Sequence, residues 1–165
     1  DVYKRQTPDD PVALDWHNGR RTPDADPRVR GALDGLTLAT SAPAIYKALV
    51  EATVFGSRAI DERMLEEGVP IDNIIAIGGI ARKSSFVMRT MADVMGMPIR
   101  VLDSDQACAL GAAMFAAVAA GIHGSVAEAQ QAMRPGFSAE YRPDMERHAI
   151  YDYLYARYLK LGAAR

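Results

Sequence analysis

The chain has 165 residues, 49% hydrophobic and 24% charged, enough for one ordinary domain with a real core. A net charge of −2 excludes a dedicated nucleic-acid binder, which carries a basic excess, and no apolar run nears the ~20 residues of a membrane span. The single cysteine, Cys108, excludes an internal disulfide and suits a reducing cytoplasm.

In chain order, residues 1–11 show no core pattern and carry Pro8 and Pro11; they are expected to be a disordered or non-native leader, with the domain spanning 12–165. Val12 to Trp16 reads as a short strand or an apolar anchor. His17 to Arg30 is a loop by composition, with Asn18-Gly19, Pro23 and Pro27. Loops beyond about 12–15 residues tend to be functional or disordered, so Trp16 either faces a ligand beside Asn18 or pins the loop to the core. Ala32 to Leu38 is a strand or a docking segment. Thr40-Ser41-Ala42-Pro43 then starts a helix, with a hydroxyl cap and proline in the first turn. That helix is expected from Pro43 to Glu67, with an inward stripe of Ile45, Leu49, Ala52, Gly56, Ile60 and Met64. Gly68 and Pro70 end it.

Ile74-Ile75-Ala76-Ile77-Gly78-Gly79 reads as a strand covered on both faces, then a paired-glycine turn. Ser84 or Ser85 caps a helix to Met95 that turns Val87, Met91, Val94 and Met95 inward, and Gly96 and Pro98 close it. The turn is either a routine corner or backbone laid open to an anion such as phosphate. Ile99 to Leu102 is a second strand. Asp103 and Asp105 are expected as caps, rather than magnesium ligands, for a helix from Gln106 to Ala120. Small side chains on every face let that helix pack tightly, with Cys108 as a buried, inert thiol. Ser125 caps a short helix to Met133, with Glu128 at capping-box spacing. Arg134 to Arg147 looks irregular and exposed. A last helix, Ala149 to Gly162, carries a stripe of Ile150, Tyr153, Leu154, Tyr158 and Leu161.

Strands alternating with helices imply an α/β fold with a mostly parallel sheet, whose ligands bind beyond the carboxyl ends of the strands. Gly78-Gly79 sits at such an end. Little else in the chain carries chemistry. His17, His123 and His148 lack metal-ligand spacing, and no nucleophile elbow, phosphate-loop Gly-Lys-Ser/Thr or general base stands out. No catalytic residue is assigned.

Three stretches in combination point to a family: Gly78-Gly79-Ile80-Ala81-Arg82-Lys83, Ala92-Asp93-Val94-Met95-Gly96-Met97-Pro98, and Ala107-Cys108-Ala109-Leu110-Gly111-Ala112-Ala113. Together they resemble the C-terminal half of the FGGY carbohydrate kinases, over about Val12 to Leu161. The resemblance implies an actin-like, ribonuclease H-like ATPase domain, the C-terminal half of a two-domain sugar kinase with ATP in the cleft between domains. It implies nucleotide contacts at Gly78, Gly79, Ile80 and Lys83, the last standing where the wider family commonly has Asn. Trp16 and Asn18 become cleft or substrate-side candidates. Mg2+ and the catalytic aspartate are implied on the N-terminal domain, so the fragment alone should be inactive. Asp15-Trp16-His17-Asn18-Gly19 and Tyr151 to Tyr158 favour the branch that phosphorylates L-ribulose to L-ribulose 5-phosphate in L-arabinose degradation. The implied partners are ATP or ADP and the sugar, with room for a homodimer, in the cytoplasm and without nucleic acid or membrane. Two alternatives stay open: another sugar or polyol kinase of the family (D-ribulose, xylulose), and a non-catalytic actin-like nucleotide-binding module. A dinucleotide-binding domain fits poorly, because Gly-x-Gly-x-x-Gly is absent.

Overall fold

The computed structural model describes residues 6–164. A three-stranded sheet has the order β3-β4-β5, from Ile74–Ala76, Ile99–Leu102 and Phe137–Tyr141. β3 and β4 run parallel, with Ile74 opposite Ile99 and Ala76 opposite Val101. β5 is antiparallel to β4, with Ile99 opposite Tyr141. The sheet is therefore mixed, and the stretch expected to be irregular supplies its third strand. A separate antiparallel pair joins β1 (Val12–Leu14) to β2 (Ala32–Asp34).

Between β3 and β4 run the five-residue helix α2 (Gly79–Lys83) and α3 (Ser85–Met95). Ser84 caps α3 by accepting from the Val87 N–H, and Gly96 ends it in the left-handed conformation. α3 lays Met88 and Ala92 on Ile99 and Val101 of the sheet, with Ala81 of α2 in the same cluster. A larger cluster lies between β1, α1 (Ala42–Glu66) and α6 (Met145–Ala163), around Leu14, Trp16, Phe55, Tyr151, Leu154 and Tyr158. Val94 of α3 reaches into it and couples the two. Asp93 secures the joint, accepting from the Asp144 N–H at 2.9 Å and pairing with Arg147 at 3.3 Å.

Several expectations are corrected. α1 keeps its helical period, but its buried set is Lys47, Ala48, Glu51, Ala52, Val54 and Phe55, while Met64 is exposed. Lys47 and Glu51 go inside because Asp10, Gln6 and Tyr151 satisfy them there. α6 starts earlier than read, since Asp144 caps it through the N–H groups of Glu146 and Arg147. It buries Tyr151 and Tyr155, and leaves Tyr153 outside. Residues 6–11 are held rather than loose: Pro11 is buried, and Arg157 donates to the carbonyls of Pro8 (2.7 Å) and Asp10 (2.8 Å). Residues 1–5, the rest of that expected leader, lie outside the described residues. α4 (Ala107–Ala119) packs mainly on α5 (Val126–Met133) and buries only Met114 and Ala117. Cys108 is consequently exposed, not buried. Ser125 caps α5 as expected, while Glu128 reaches the N–H of Gly124, one residue before the cap.

Candidate nucleotide-side edge of the sheet

Because β3 and β4 are parallel, their carboxyl ends emerge on one edge of the sheet. Two short segments meet there: Gly78-Gly79 after β3, and Asp103-Ser104-Asp105 after β4. Gly78 has φ +89°, a conformation that only glycine adopts without strain. Gly79 opens α2 in an ordinary conformation. A Cβ built at either glycine meets no atom within 4 Å. Nothing in the described structure requires Gly79 to be glycine. The backbone there is bare and open.

Ile80 projects from the first turn of α2 and is 69% exposed, and Lys83 is exposed at its last turn. Arg82 turns instead to the β4 loop. Its Nη1 lies 2.6 Å from Asp105 Oδ1 and its Nη2 lies 3.7 Å from Asp103 Oδ1. Asp103 and Asp105 were expected to cap α4. They do not: Gln106 occupies the cap position with no side-chain bond, and the Ser104 hydroxyl accepts the Gln106 N–H.

β3 also departs from the expectation of a strand covered on both faces. Ile75 and Ile77 are 47% and 56% exposed. They line a groove of about 620 Å³ with Leu102 of β4, Leu110 and Gly111 of α4, and Phe137 of β5. The groove is apolar, with Gln130, Gln131 and Arg134 as its polar lining. A second trough, about 690 Å³, lies between α1, β3 and α3 and includes Asp61, whose carboxyl burial raises above its ordinary value. Among the described residues, no group of three or more His, Cys, Asp or Glu is placed to hold a metal ion.

The sequence candidates thus separate. Gly78, Gly79, Ile80 and Lys83 share the sheet edge. Trp16 lies in the other cluster, edge-on to Tyr158 at 6.4 Å, with the Arg20 guanidinium over its ring. Asn18 is exposed on the 17–30 loop. The contact between Arg82 and the Asp103–Asp105 loop was missed. Its only sequence signal is a base three residues after Gly79 and two acids after the next strand.

Residues 2–120 match the family model for the C-terminal domain of the FGGY family of carbohydrate kinases. The chain is 49% identical to a ribulokinase of Vibrio parahaemolyticus over 92% of its length and 27% of that protein's. It is 45% identical to a ribulokinase of Bacillus licheniformis, over 91% and 28% respectively. Among solved structures, a ligand-bound xylulose kinase from Lactobacillus acidophilus superposes with a TM-score of 0.86 at 25% identity, over 99% of this chain and 33% of that one. The chain therefore spans little more than a quarter of the length of these two ribulokinases.

Proposed function

The chain belongs to the FGGY family of carbohydrate kinases, and from that membership we propose that it is the nucleotide-side, C-terminal domain of an L-ribulokinase. The similarity to two ribulokinases at 49% and 45% identity supports this choice of sugar. In the whole enzyme the γ-phosphate of ATP passes to L-ribulose, giving L-ribulose 5-phosphate, ADP and a proton. The reading places the enzyme in the cytoplasm, where ATP is supplied. No helix among the described residues is long and apolar enough to cross a membrane.

One observation carries the assignment: the open backbone of Gly78-Gly79 at the carboxyl edge of two parallel strands, where Gly79 has no steric partner of its own. ATP fits that space. Its phosphates can approach N–H groups that a side chain would screen, and the apolar groove beside Ile77 suits a flat base. Ile80 and Lys83 stand at the rim as further contacts. This domain's work is to bind and orient the nucleotide, because phosphoryl transfer depends on placing the γ-phosphate in line with the attacking hydroxyl. On the strength of the family membership, we assign Mg2+ and the catalytic base to the part of the kinase that this chain does not span.

The test is Gly79→Val in the full-length kinase. The KM for ATP is expected to rise by tenfold or more while that for L-ribulose changes by less than twofold. An equal effect on both substrates, or none, would remove the assignment.

A further inference from the structure

A Cβ on either glycine would meet nothing within 4 Å, and the Gly78 carbonyl accepts the Arg82 N–H at 3.4 Å, so the position of the turn depends on the elements that flank it. On one side is β3, hydrogen-bonded to β4. On the other is α2, with five residues and one buried side chain, Ala81. So short a helix is not stable by itself, and one alanine anchors it weakly. The second anchor is Arg82. Its two terminal nitrogens reach toward two carboxylates, at 2.6 Å on Asp105 and 3.7 Å on Asp103. The loop carrying those acids is itself tied down. The Asp103 N–H donates to the Gly136 carbonyl at 3.0 Å, next to the start of β5, and Ser104 accepts from Gln106 at 3.2 Å. A continuous path runs from β5 through the β4 loop and the guanidinium to the glycine turn.

We propose that Arg82 is a positioning residue for the nucleotide: a guanidinium fork on Asp103 and Asp105 that holds α2, and with it the Gly78-Gly79 backbone, at the sheet edge. The proposal rests on the reading of that turn as the nucleotide wall. A planar guanidinium can serve two carboxylates at once, which an ammonium does less well. Because the pairs are partly in water, the effect is modest.

In the full-length kinase, Arg82→Ala and Asp105→Ala should each raise the KM for ATP on the order of three- to tenfold. The KM for L-ribulose, kcat and the thermal midpoint should barely move. The double variant should be no worse than either single one, because both remove the same contact. Arg82→Lys should fall between wild type and Arg82→Ala, and the exchanged pair Arg82→Asp with Asp105→Arg should recover part of the loss. A rise with Arg82→Ala alone would mean that the guanidinium meets the nucleotide itself, and would overturn the proposal. So would a silent pair, or an equal loss for both substrates with a fall in thermal midpoint. If Gly79→Val is also silent, the nucleotide reading fails with it; if Gly79→Val acts and the Arg82 and Asp105 variants do not, only the fork fails.

Discussion

Glu51 shows how a single side chain escapes a reading by hydropathy. It is 2% exposed on α1, and its Oε1 accepts from Gln6 (2.9 Å) and from the Tyr151 hydroxyl (3.1 Å). Lys47 lies 3.9 Å away and pairs with Asp10. Burial pushes the carboxyl from its ordinary 4.5 to about 7, against the pull of the Lys47 charge and the hydrogen bonds. Burial, followed by the Glu51 charge, also raises the Tyr151 hydroxyl. The folded protein thus holds this proton more tightly than the unfolded chain does. Stability is fully present below about pH 4.5, falls as pH rises through about 7, and levels off above it. The loss is on the order of 3 kcal/mol. Urea unfolding at pH 5 and pH 8 should show it, and Glu51→Gln, which keeps the acceptor, should flatten the profile; an unchanged slope in the variant would assign it to another group. The glycine turn could be read from its own letters. Glu51 and Lys47 could not, because their burial depends on Gln6, Asp10 and Tyr151, far away in sequence.

At the scale of elements, starts and stops were the most legible part of the chain. Ser41, Ser84 and Ser125 accept the first N–H groups of α1, α3 and α5, and Gly96 closes α3 as its position implied. These signals are local, so sequence carries them. Helix phase is not local. In α6 the inward tyrosines are Tyr151, Tyr155 and Tyr158, because Phe55 of α1 sits within 6.1 Å of each ring and draws that face in. Four tyrosines between positions 151 and 158 leave the inward face undecided until the partner is known. β5 was missed because its Phe137 and Glu140 stay exposed at the sheet edge, which gives only weak alternation. In α4, small side chains allow close packing without demanding it. Among the described residues α5 takes up most of the offer, and Cys108 remains outside.

For the whole molecule, the alternation of strand and helix was enough to place the turn at the carboxyl edge of the parallel strands, and the mixed sheet did not disturb that. What the alternation could not show is how much apolar surface stays open. Ile75, Ile77 and Ile80 are exposed around the turn, as are Phe115 and Ile122 at α4. The isolated 165-residue chain should therefore associate with itself at concentrations on the order of 10–100 μM and bind a hydrophobic dye. Sedimentation velocity would contradict this by finding a monomer throughout that range. The two neighbouring glycines have a further consequence in the genetics of the protein. Any replacement of Gly78 puts a Cβ on a backbone at φ +89°, whereas a replacement of Gly79 enters empty space in an ordinary conformation. A library of variants scored once for abundance and once for sugar phosphorylation should lose Gly78 substitutions from both screens and Gly79 substitutions only from the second. Two identical letters, side by side, would then record different things: one the limits of an L-amino acid backbone, the other the shape of a guest.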